Sequence, residues 1–283
     1  MACNKNYCYN CDTSEKNLFV QHALMKVCNH CGAWVAKIQT EIDFKTLYEK
    51  EYYFGDEYLN YNLGKKVHQI NFARKLIILK KYLNEKKDIR LLEIGSATGD
   101  FLKLARQTGW ENIIGVEISD FSREDSLKNG HNVISPADPN LAQVLLALKP
   151  NLIVAWDVWE HLARPSEIFN DYIKYASEDV IVAITTVDSE SKNAIKRQEN
   201  WRQFHPPTHI NYPSKRSFKY FFEKKNFRLK QHCYFGYYRP LAEYLAVIFG
   251  KRNFIRNSKL LFSIPIYLNL YDTQIIIAER VQE

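Results

Sequence analysis

The chain has 283 residues, of which 46% are hydrophobic and 25% are charged. These values are ordinary for a globular protein, so they exclude a disordered chain and allow one large domain or two smaller ones. The formal net charge is +7, with the basic residues spread along the chain. Nucleic acid, anionic lipid and acidic small molecules are candidate partners on this basis, although an ordinary positive surface is the preferred interpretation.

No stretch of the sequence reaches the ~20 apolar residues that span a bilayer. The chain starts with MACNK, which lacks the apolar core of a secretory signal. We therefore expect a cytoplasmic protein, in which thiols stay reduced and clustered cysteines hold metal rather than form disulfides.

Two pairs of cysteines lie near the N-terminus, each with two residues between the partners, and they comprise Cys8, Cys11, Cys28 and Cys31. Two residues between thiolates let one tight turn aim both sulfurs at one ion, and two such turns give the tetrahedral shell of four thiolates that zinc accepts. The spacing predicts a structural zinc ribbon over residues 1–40, with strands at 17–22 and 33–39. Cys3 and His30 are spare ligands, and free or redox thiols are the alternative.

Residues 41–87 are predicted to form a helical connector, because apolar residues recur at helical spacing from Val67 to Leu83. An aromatic cluster precedes this helix and consists of Tyr48, Tyr52, Tyr53, Phe54, Tyr58 and Tyr61. We favour packing of this cluster as a hinge between modules over the alternative, a lid above a ligand.

From residue 88 onward, short apolar runs alternate with helical segments. Strands are predicted at 89–94, 112–117, 132–134, 152–156 and 179–185, and helices at 101–108, 122–129, 141–148 and 165–175. Alternation of this kind predicts an α/β domain with a parallel sheet buried on both faces. Two later strands, at 227–232 and 275–279, are predicted to close the sheet as a hairpin.

A glycine turn follows the first of these strands and carries the sequence EIGSATG at residues 93–99. Such a turn between a strand and a helix lets a ligand approach the backbone closely. Glu117, about 20 residues further on, ends the second strand, where an acid suits a ribose diol. Glu93 would repel a pyrophosphate but suits a ligand with an ammonium group, such as S-adenosylmethionine.

In these motifs the chain resembles the class I S-adenosylmethionine-dependent methyltransferases of the small-molecule group, over roughly residues 89–230. The likeness is carried by the turn at 93–99, by Val116-Glu117-Ile118, and by DVWEHL at 157–162 with Pro165. It implies a Rossmann-like sheet with helices on both faces. Ala97 departs from the pattern, because the family usually has a glycine in the middle of the turn.

The resemblance also implies which residues bind the methyl donor. From the methionine part through the ribose to the adenine, these are Glu93, Gly95, Ser96 and Gly99, then Glu117, then Ile118, Pro136 and Ala137. Asp157 would lie below the sulfonium.

Glu160 and His161 follow the fourth strand, at the edge where open parallel sheets bind ligands. A loop with the sequence FHPPTHINY at 204–212 is expected over the same edge. Because a histidine with a pKa near neutral suits general-base work on a hydroxyl, His161 and His209 are the catalytic candidates, with His205 behind them. The alternative is that each is a neutral histidine that only holds the loop.

The same corner offers metal ligands from Asp157, Glu160, His161 and His209. Some relatives with an E-x-x-E-H strand end use Mg²⁺ or a similar ion, whereas the first acid here is Asp157, one methylene shorter. A functional Mg²⁺ at Asp157, Glu160 and His161 is therefore an alternative to the metal-free site that we favour.

Residues 240–268 are apolar with basic interruptions, namely Lys251, Arg252, Arg256 and Lys259. We expect a helical cap inserted into a methyltransferase domain of residues 88–283. The alternative is a segment that lies on a membrane surface or receives a lipid-like substrate.

The sequence thus predicts methyl transfer from S-adenosylmethionine to a small-molecule acceptor, at a hydroxyl of a sugar or another biosynthetic intermediate. One alternative is an RNA methyltransferase, because zinc ribbons often contact nucleic acid. Against it, the fourth strand ends in DVWE at 157–160 and not in the Asn-Pro-Pro-aromatic run of base-amine methylators. The other alternative is a non-catalytic zinc-ribbon binding protein on the same fold. The oligomeric state is not predicted.

Overall fold

The computed structural model describes residues 6–38, 43, 47, 59–83, 88–250 and 252–281. Outside these residues lie the spare ligand Cys3 and most of the predicted aromatic cluster, namely Tyr48, Tyr52, Tyr53, Phe54 and Tyr58. The predicted connector helix is α1 (Tyr61–Lys80). It begins after Asn60, whose side-chain oxygen accepts a hydrogen bond from the Leu63 amide and so satisfies one donor of the first turn.

The N-terminal segment folds as a small antiparallel module. Its strands are β1 (Tyr7–Cys8), β2 (Thr13–Ser14), β3 (Phe19–Gln21), β4 (Met25–Cys28) and β5 (Trp34–Ala36). β1 pairs with β2, and β4 pairs with both β3 and β5. The two predicted strands correspond to β3 and β5, which are shorter than predicted, and the sequence pattern does not predict β4 between them.

A mostly parallel sheet forms the centre of the described chain. Its strands are β6 (Arg90–Ile94), β7 (Asn112–Val116), β8 (Val133–Ile134), β9 (Leu152–Trp156), β10 (Ile181–Val187), β12 (Phe227–Tyr234) and β15 (Thr273–Arg280). The order across the sheet is β12-β15-β10-β9-β6-β7-β8, and β15 runs antiparallel to both of its neighbours. This arrangement confirms the predicted α/β fold with its closing hairpin.

Burial on both faces explains why the central strands are continuous apolar runs. Every residue of β9 and of β10 is buried. Because successive side chains point to opposite faces, Leu92 belongs to one hydrophobic core and Leu91 to the other. The helices that cover these faces and the neighbouring edge are α2 (Asp100–Gln107), α3 (Asp120–Lys128), α4 (Leu141–Leu148), α5 (Pro165–Ile173), α6 (Lys192–Arg197) and α7 (Lys215–Glu223).

The ribbon and the α/β domain share a sheet. Strand β11 (Asn211–Tyr212), from the loop after β10, pairs antiparallel with β5 and extends the ribbon sheet to β11-β5-β4-β3. The two parts also share a core, in which Trp34 contacts Trp201 edge to face at 5.9 Å between ring centres. The predicted boundary at residue 40 stays a prediction, and the backbone pairing crosses it.

The segment between β12 and β15, called the cap here, is largely helical. It contains β13 (Tyr237–Pro240), α8 (Leu241–Phe249), α9 (Asn253–Asn257), α10 (Lys259–Ser263) and β14 (Pro265–Leu268). β13 pairs with β14, so the cap starts and ends on one hairpin. Its buried side chains Ala242, Ile255 and Phe262 form a small core with Leu59. No helix within the described ranges has both the length and the apolar character needed to cross a membrane.

Candidate active site

A cavity of about 1060 Å³ opens beyond the carboxyl ends of the central strands. The strand order reverses there, since β6 has β7 on one side and β9 on the other. Open α/β sheets bind their ligands in the crevice at such a reversal. The turn after β6, the ends of β7 and β9, and the cap supply the walls. The volume lies at the upper end of the range for small-molecule sites.

The backbone of the turn at 93–99 explains its glycines. Gly95 and Gly99 have φ angles of +70° and +80°. A Cβ at Gly95 would lie 2.5 Å from the Val158 side chain, and one at Gly99 would lie 2.5 Å from Ser126 Oγ. Both positions therefore require glycine for conformation and for space. Ala97 also has a positive φ, +45°, which costs an L-residue on the order of 1 kcal/mol.

Glu117 fixes this turn to the end of β7. One carboxylate oxygen accepts a hydrogen bond from the Ala97 amide and the other from the Ser119 amide, each at 2.8 Å. Burial raises the pKa of Glu117, although the amide hydrogen bonds favour the charged form. The side chain lines the cavity, so it supports the strained Ala97 and also faces a ligand.

Most residues predicted to bind the methyl donor line the cavity, namely Glu93, Gly95, Ser96, Glu117, Ile118, Pro136 and Asp157. Gly99 and Ala137 are not among the lining residues. Gly99 instead provides the left-handed turn before α2, and Ala137 lies in the loop after β8, where its amide donates to Ser135 Oγ.

The carboxyl group of Glu93 has an unsatisfied atom that tests the fit of a cationic ligand. The residue is 3% exposed, and its Oε2 has no hydrogen-bond partner among the described residues. Burial raises the pKa of Glu93 well above its ordinary value. An ammonium group in the cavity would donate the hydrogen bond that Glu93 Oε2 lacks, and its positive charge would balance the carboxylate. The site therefore fits the methionine part of S-adenosylmethionine.

Two residues of this site, Lys75 and Tyr237, have no signal in the sequence. The Lys75 ammonium lies 3.1 Å from Asp157 Oδ2, and the Tyr237 hydroxyl donates to Asp157 Oδ1 at 2.6 Å. The ammonium is also 5.0 Å from the centre of the Trp156 ring. These contacts join residues about eighty positions apart, so only the tertiary fold reveals them.

The charged states of Asp157 and Lys75 depend on each other. Burial would raise the pKa of Asp157, but the Lys75 ammonium and the Tyr237 hydroxyl lower it overall. Burial lowers the pKa of Lys75, and Asp157 opposes that effect. Asp157 thus brings a negative charge to the cavity wall, where the Lys75 ammonium partly compensates it.

His161 and His209 both line the cavity, with ring centres 4.7 Å apart. His161 Nδ1 lies 2.9 Å from the Thr208 carbonyl oxygen, and His209 Nδ1 lies 2.9 Å from the Gln203 carbonyl oxygen. Because a carbonyl oxygen only accepts, Nδ1 carries the proton in each neutral ring and Nε2 carries the lone pair.

Burial, with His161 and His205 nearby, lowers the pKa of His209 well below its ordinary value. His209 is therefore neutral near pH 7 and can accept a proton. The His205 ring contacts the His209 ring at 3.8 Å between ring centres, and its Nδ1 bonds to the Thr208 hydroxyl. His205 is not among the residues that line the cavity, unlike His161 and His209.

Glu160, His161 and His209 form a candidate metal group, whose ligand atoms all lie within 4.8 Å of one another. The Thr186 hydroxyl donates to Glu160 Oε2 at 2.7 Å, and burial raises the pKa of Glu160 to about 8. Asp157, which the sequence analysis grouped with Glu160 and His161, is not a member. The buried Lys75 ammonium engages the Asp157 carboxylate, and the group keeps the other three ligands predicted for this corner.

The four N-terminal cysteines form a second candidate metal group. Cys8, Cys11, Cys28 and Cys31 are buried, and their sulfurs all lie within 4.8 Å of one another. Cys8 Sγ is 3.8 Å from Cys31 Sγ, which matches the ~3.8 Å edge of a tetrahedron with Zn–S distances of about 2.3 Å. The donor set therefore fits zinc. The spare ligand His30 is not in this group and stacks on Tyr220 at 4.2 Å.

Asn10 connects the ribbon with the histidine corner. It is fully buried and lies between the ligands Cys8 and Cys11. Its Oδ1 accepts from the Trp159 indole at 2.8 Å, and its Nδ2 donates to Asn211 Oδ1 at 3.0 Å. Trp159 directly precedes Glu160, and Asn211 follows His209 by two residues. One ribbon amide therefore holds both segments that carry the candidate catalytic residues.

Comparison with known proteins identifies the α/β domain. A family model described as "Methyltransferase domain" matches residues 65–232. No curated protein matches the chain. Among solved structures, the chain is similar to magnesium protoporphyrin IX methyltransferase from Synechocystis PCC 6803 with bound SAH. The TM-score is 0.50 at 11% identity, over 78% of this chain and 86% of that chain.

Two further structures share the fold. The plantazolicin methyltransferase BamL, in complex with a triazolic desmethylPZN analog and SAH, gives a TM-score of 0.52 at 14% identity, over 82% of this chain and 94% of that chain. A complex between the Haloferax volcanii Trm112 methyltransferase activator and a putative methyltransferase gives a TM-score of 0.51 at 9% identity, over 77% of this chain and 92% of that chain. At these identities the likeness concerns the fold.

Proposed function

Because this chain belongs to the methyltransferase domain family and is an S-adenosylmethionine-dependent methyltransferase, we propose that it methylates a hydroxyl group of a small-molecule acceptor, a sugar or another biosynthetic intermediate. The observation that carries this proposal is the placement of His161 and His209 in the same cavity as the glycine turn, Glu93 and Glu117.

Each wall residue has a proposed part in holding the methyl donor. S-adenosylmethionine, when bound, supplies a methyl group activated by a sulfonium. Glu93 balances the ammonium, the remaining lone pairs of Glu117 accept from the ribose hydroxyls, and Ile118 and Pro136 give apolar contact to the base. Asp157 lies on the β9 side of the cavity, where its charge favours a cation.

The acceptor hydroxyl is proposed to lose its proton to a histidine Nε2. His209 is neutral and buried, so it can take the proton as the oxygen attacks. His161 is only partly buried and provides the path by which the proton reaches solvent. His205 supports His209 through ring stacking.

A second proposal for the same corner is a divalent ion held by Glu160, His161 and His209. The observation in its favour is that both histidines donate Nδ1–H to backbone carbonyls, the outer contact that orients metal-binding imidazoles. Such an ion would lower the pKa of a bound hydroxyl. Activity of a dialysed enzyme with and without Mg²⁺ or Mn²⁺ separates this proposal from a histidine base.

The ribbon of residues 1–40 is proposed to bind one structural zinc, while residues 41–87 connect it to a methyltransferase domain of residues 88–283. Four thiolates leave no open position for a substrate. Metal analysis of the purified chain, with about one zinc per chain expected, tests this part.

Titration calorimetry with S-adenosylhomocysteine tests the donor site, and a panel of sugar and hydroxylated acceptors tests the reaction. We expect His209→Gln to lower kcat by about 10²- to 10⁴-fold with little change in donor affinity. The control His232→Gln alters a histidine that bonds Gln274 away from the cavity and should leave kcat unchanged. Equal losses in both variants would count against the base.

RNA as the acceptor is the outcome that would replace this proposal. A gel shift with RNA and a steep dependence of affinity on salt would support it, because counterion release makes such binding salt-dependent. Inert RNA together with a methylated small molecule would support the acceptor proposed here.

A further inference from the structure

The cap exposes several large apolar side chains within one short segment. Between residues 247 and 260 the exposed ones are Val247, Ile248, Phe249, Phe254 and Leu260. Val247 is 86% exposed and Leu260 is 70% exposed. Scattered apolar side chains are normal on a protein surface, whereas a concentration in one short segment marks an interaction site.

The inner side of the same helices is already occupied. Ala242 of α8, Ile255 of α9 and Phe262 of α10 are fully buried and pack together with Leu59. The exposed residues of these three helices are therefore not part of the core that holds the cap together.

The charge of this segment is one-sided. Residues 244–271 contain Lys251, Arg252, Arg256 and Lys259 and no aspartate or glutamate. Arg252 is exposed, and its Nε donates to the Phe249 carbonyl at 3.1 Å, so a basic group lies at the same bend as an exposed aromatic ring. Apolar side chains accompanied only by positive charge match the interface of an anionic bilayer.

The surface is continuous with the cavity. Val247 and Ile248 are exposed to solvent and also line the cavity, together with Tyr244 and Leu268. His161 and the glycine turn at 93–99 also line this cavity. A molecule that entered past the exposed end of α8 would thus meet an apolar rim first and the histidine corner afterwards.

We propose that the cap surface, formed by Val247, Ile248, Phe249, Phe254 and Leu260 with Arg252, Arg256 and Lys259, docks on an anionic phospholipid bilayer. The acceptor is then an amphiphile whose polar head enters the cavity while its apolar part stays at the rim. The choice of acceptor rests on the proposed function, but the docking does not. A second copy of this chain is a poorer occupant, because basic side chains would face basic side chains.

Flotation of the full chain with phospholipid vesicles tests the docking. One set contains phosphatidylcholine alone, and the other contains phosphatidylcholine mixed with phosphatidylglycerol. We expect clear preference for the second set and weaker binding at high salt. The variant Arg252→Gln/Arg256→Gln/Lys259→Gln should bind the anionic vesicles at least about tenfold more weakly, and Val247→Ser/Ile248→Ser about tenfold more weakly.

A matched control replaces exposed apolar residues away from the cap. Leu146 and Ile195 are 66% and 60% exposed, and Leu146→Ser/Ile195→Ser should bind vesicles as the unaltered chain does. Equal loss in the control, absent binding, or equal binding to neutral vesicles would overturn the proposal. So would a dimer that Val247→Ser/Ile248→Ser converts to monomer without any vesicle binding.

Calorimetry with S-adenosylhomocysteine on the same variants keeps the two proposals apart. We expect unchanged donor affinity in the three-site basic variant, because none of its residues lines the cavity. If the donor fails to bind any form of the chain, the proposed function fails while vesicle binding is still decided by flotation. If the donor binds and vesicles do not, only the docking fails.

Discussion

The carboxylate of Asp157 has partners on two distant elements, Lys75 of α1 and Tyr237 of β13. Lys75 is 1% exposed, so its ammonium depends on this partner for charge compensation. A buried ion pair contributes little beyond an apolar pair of the same shape, but loss of one member leaves a buried charge without compensation. The Lys75–Asp157 pair therefore affects the free energy of unfolding most when only one of its two members is replaced.

We expect Asp157→Asn to lower the free energy of unfolding by about 2–3 kcal/mol. This loss is smaller than that for breaking a fully buried ion pair, because the Asp157 side chain is 38% exposed. Urea unfolding measures this. The control Asp171→Asn breaks the exposed pair with Lys174 and should change stability by less than about 1 kcal/mol. Recovery in Asp157→Asn/Lys75→Met would support the orphaned charge as the cause, and equal effects in both single variants would contradict it.

Asp188, directly after β10, predicts a dependence of stability on pH. Burial raises its pKa from 3.8 to about 6, while the Glu190 amide and the Tyr234 hydroxyl donate to it. The folded chain therefore keeps a proton between about pH 4 and pH 6 that the unfolded chain releases. This contribution to stability is complete below the unfolded pKa and is lost as pH rises through the folded pKa, at up to about 1.4 kcal/mol per unit.

Asp188→Asn should remove that part of the pH dependence, because the amide does not titrate. The measurement is the urea midpoint of both proteins across the window from about pH 4 to pH 6, with their difference in free energy as the readout. If the difference in unfolding free energy between the two proteins stayed constant across this pH window, the pKa of Asp188 would not be raised by folding.

At the scale of elements, the ribbon contacts the active site through hydrogen bonds and through strand β11. Asn10 bonds to Trp159 and Asn211, and the Ser214 hydroxyl donates to the carbonyl of the ligand Cys31 at 2.5 Å. The Ile210 amide donates to the Glu160 carbonyl at 2.9 Å. The ribbon thus supports the segments on either side of the histidine pair.

Asn10→Leu should lower the free energy of unfolding by about 2–4 kcal/mol, because the Trp159 indole and an Asn211 oxygen lose their buried partner. Asn29→Leu is the matched control. Asn29 also neighbours a candidate zinc ligand, Cys28, but it is exposed, and among the described residues its side chain donates to the Asn17 carbonyl within the ribbon. Urea unfolding followed by tryptophan fluorescence measures the change, with zinc content expected to stay equal in both variants. Equal destabilisation would mean that Asn10 acts only through the ribbon.

At the scale of the whole molecule, the shared sheet and core predict that the ribbon and the methyltransferase domain unfold together. Removal of zinc by a chelator should shift one common transition to lower temperature. We expect the free energy of unfolding to fall by an amount on the order of several kcal/mol, because metal binding to such a site contributes directly to folding. Differential scanning calorimetry before and after chelation measures this. A separate ribbon transition, with the main transition unmoved, would show that the two parts are thermodynamically independent.

The sequence predicts the α/β sheet well, because its strands are local patterns. The ends of α4 and β9 agree with the prediction at both residues, and the other strands and helices predicted between residues 89 and 185 differ by one or two positions at an end. The glycine turn, Glu117 and the four cysteines are also local signals, in which spacing alone reflects the geometry. Short strands such as β4 and β11 escape prediction because two to four residues carry no periodicity.

By itself, then, the sequence determines the alternating α/β elements, the turn after β6 and the paired thiols, since each depends on neighbours a few residues apart. Only the tertiary structure decides that Lys75 and Tyr237 engage Asp157, that Asn10 bonds to Trp159 and Asn211, and that β11 completes the ribbon sheet. The physical reason is that these contacts bring together particular residues from elements far apart in the sequence. Contacts of this kind leave no regular spacing in the amino-acid sequence.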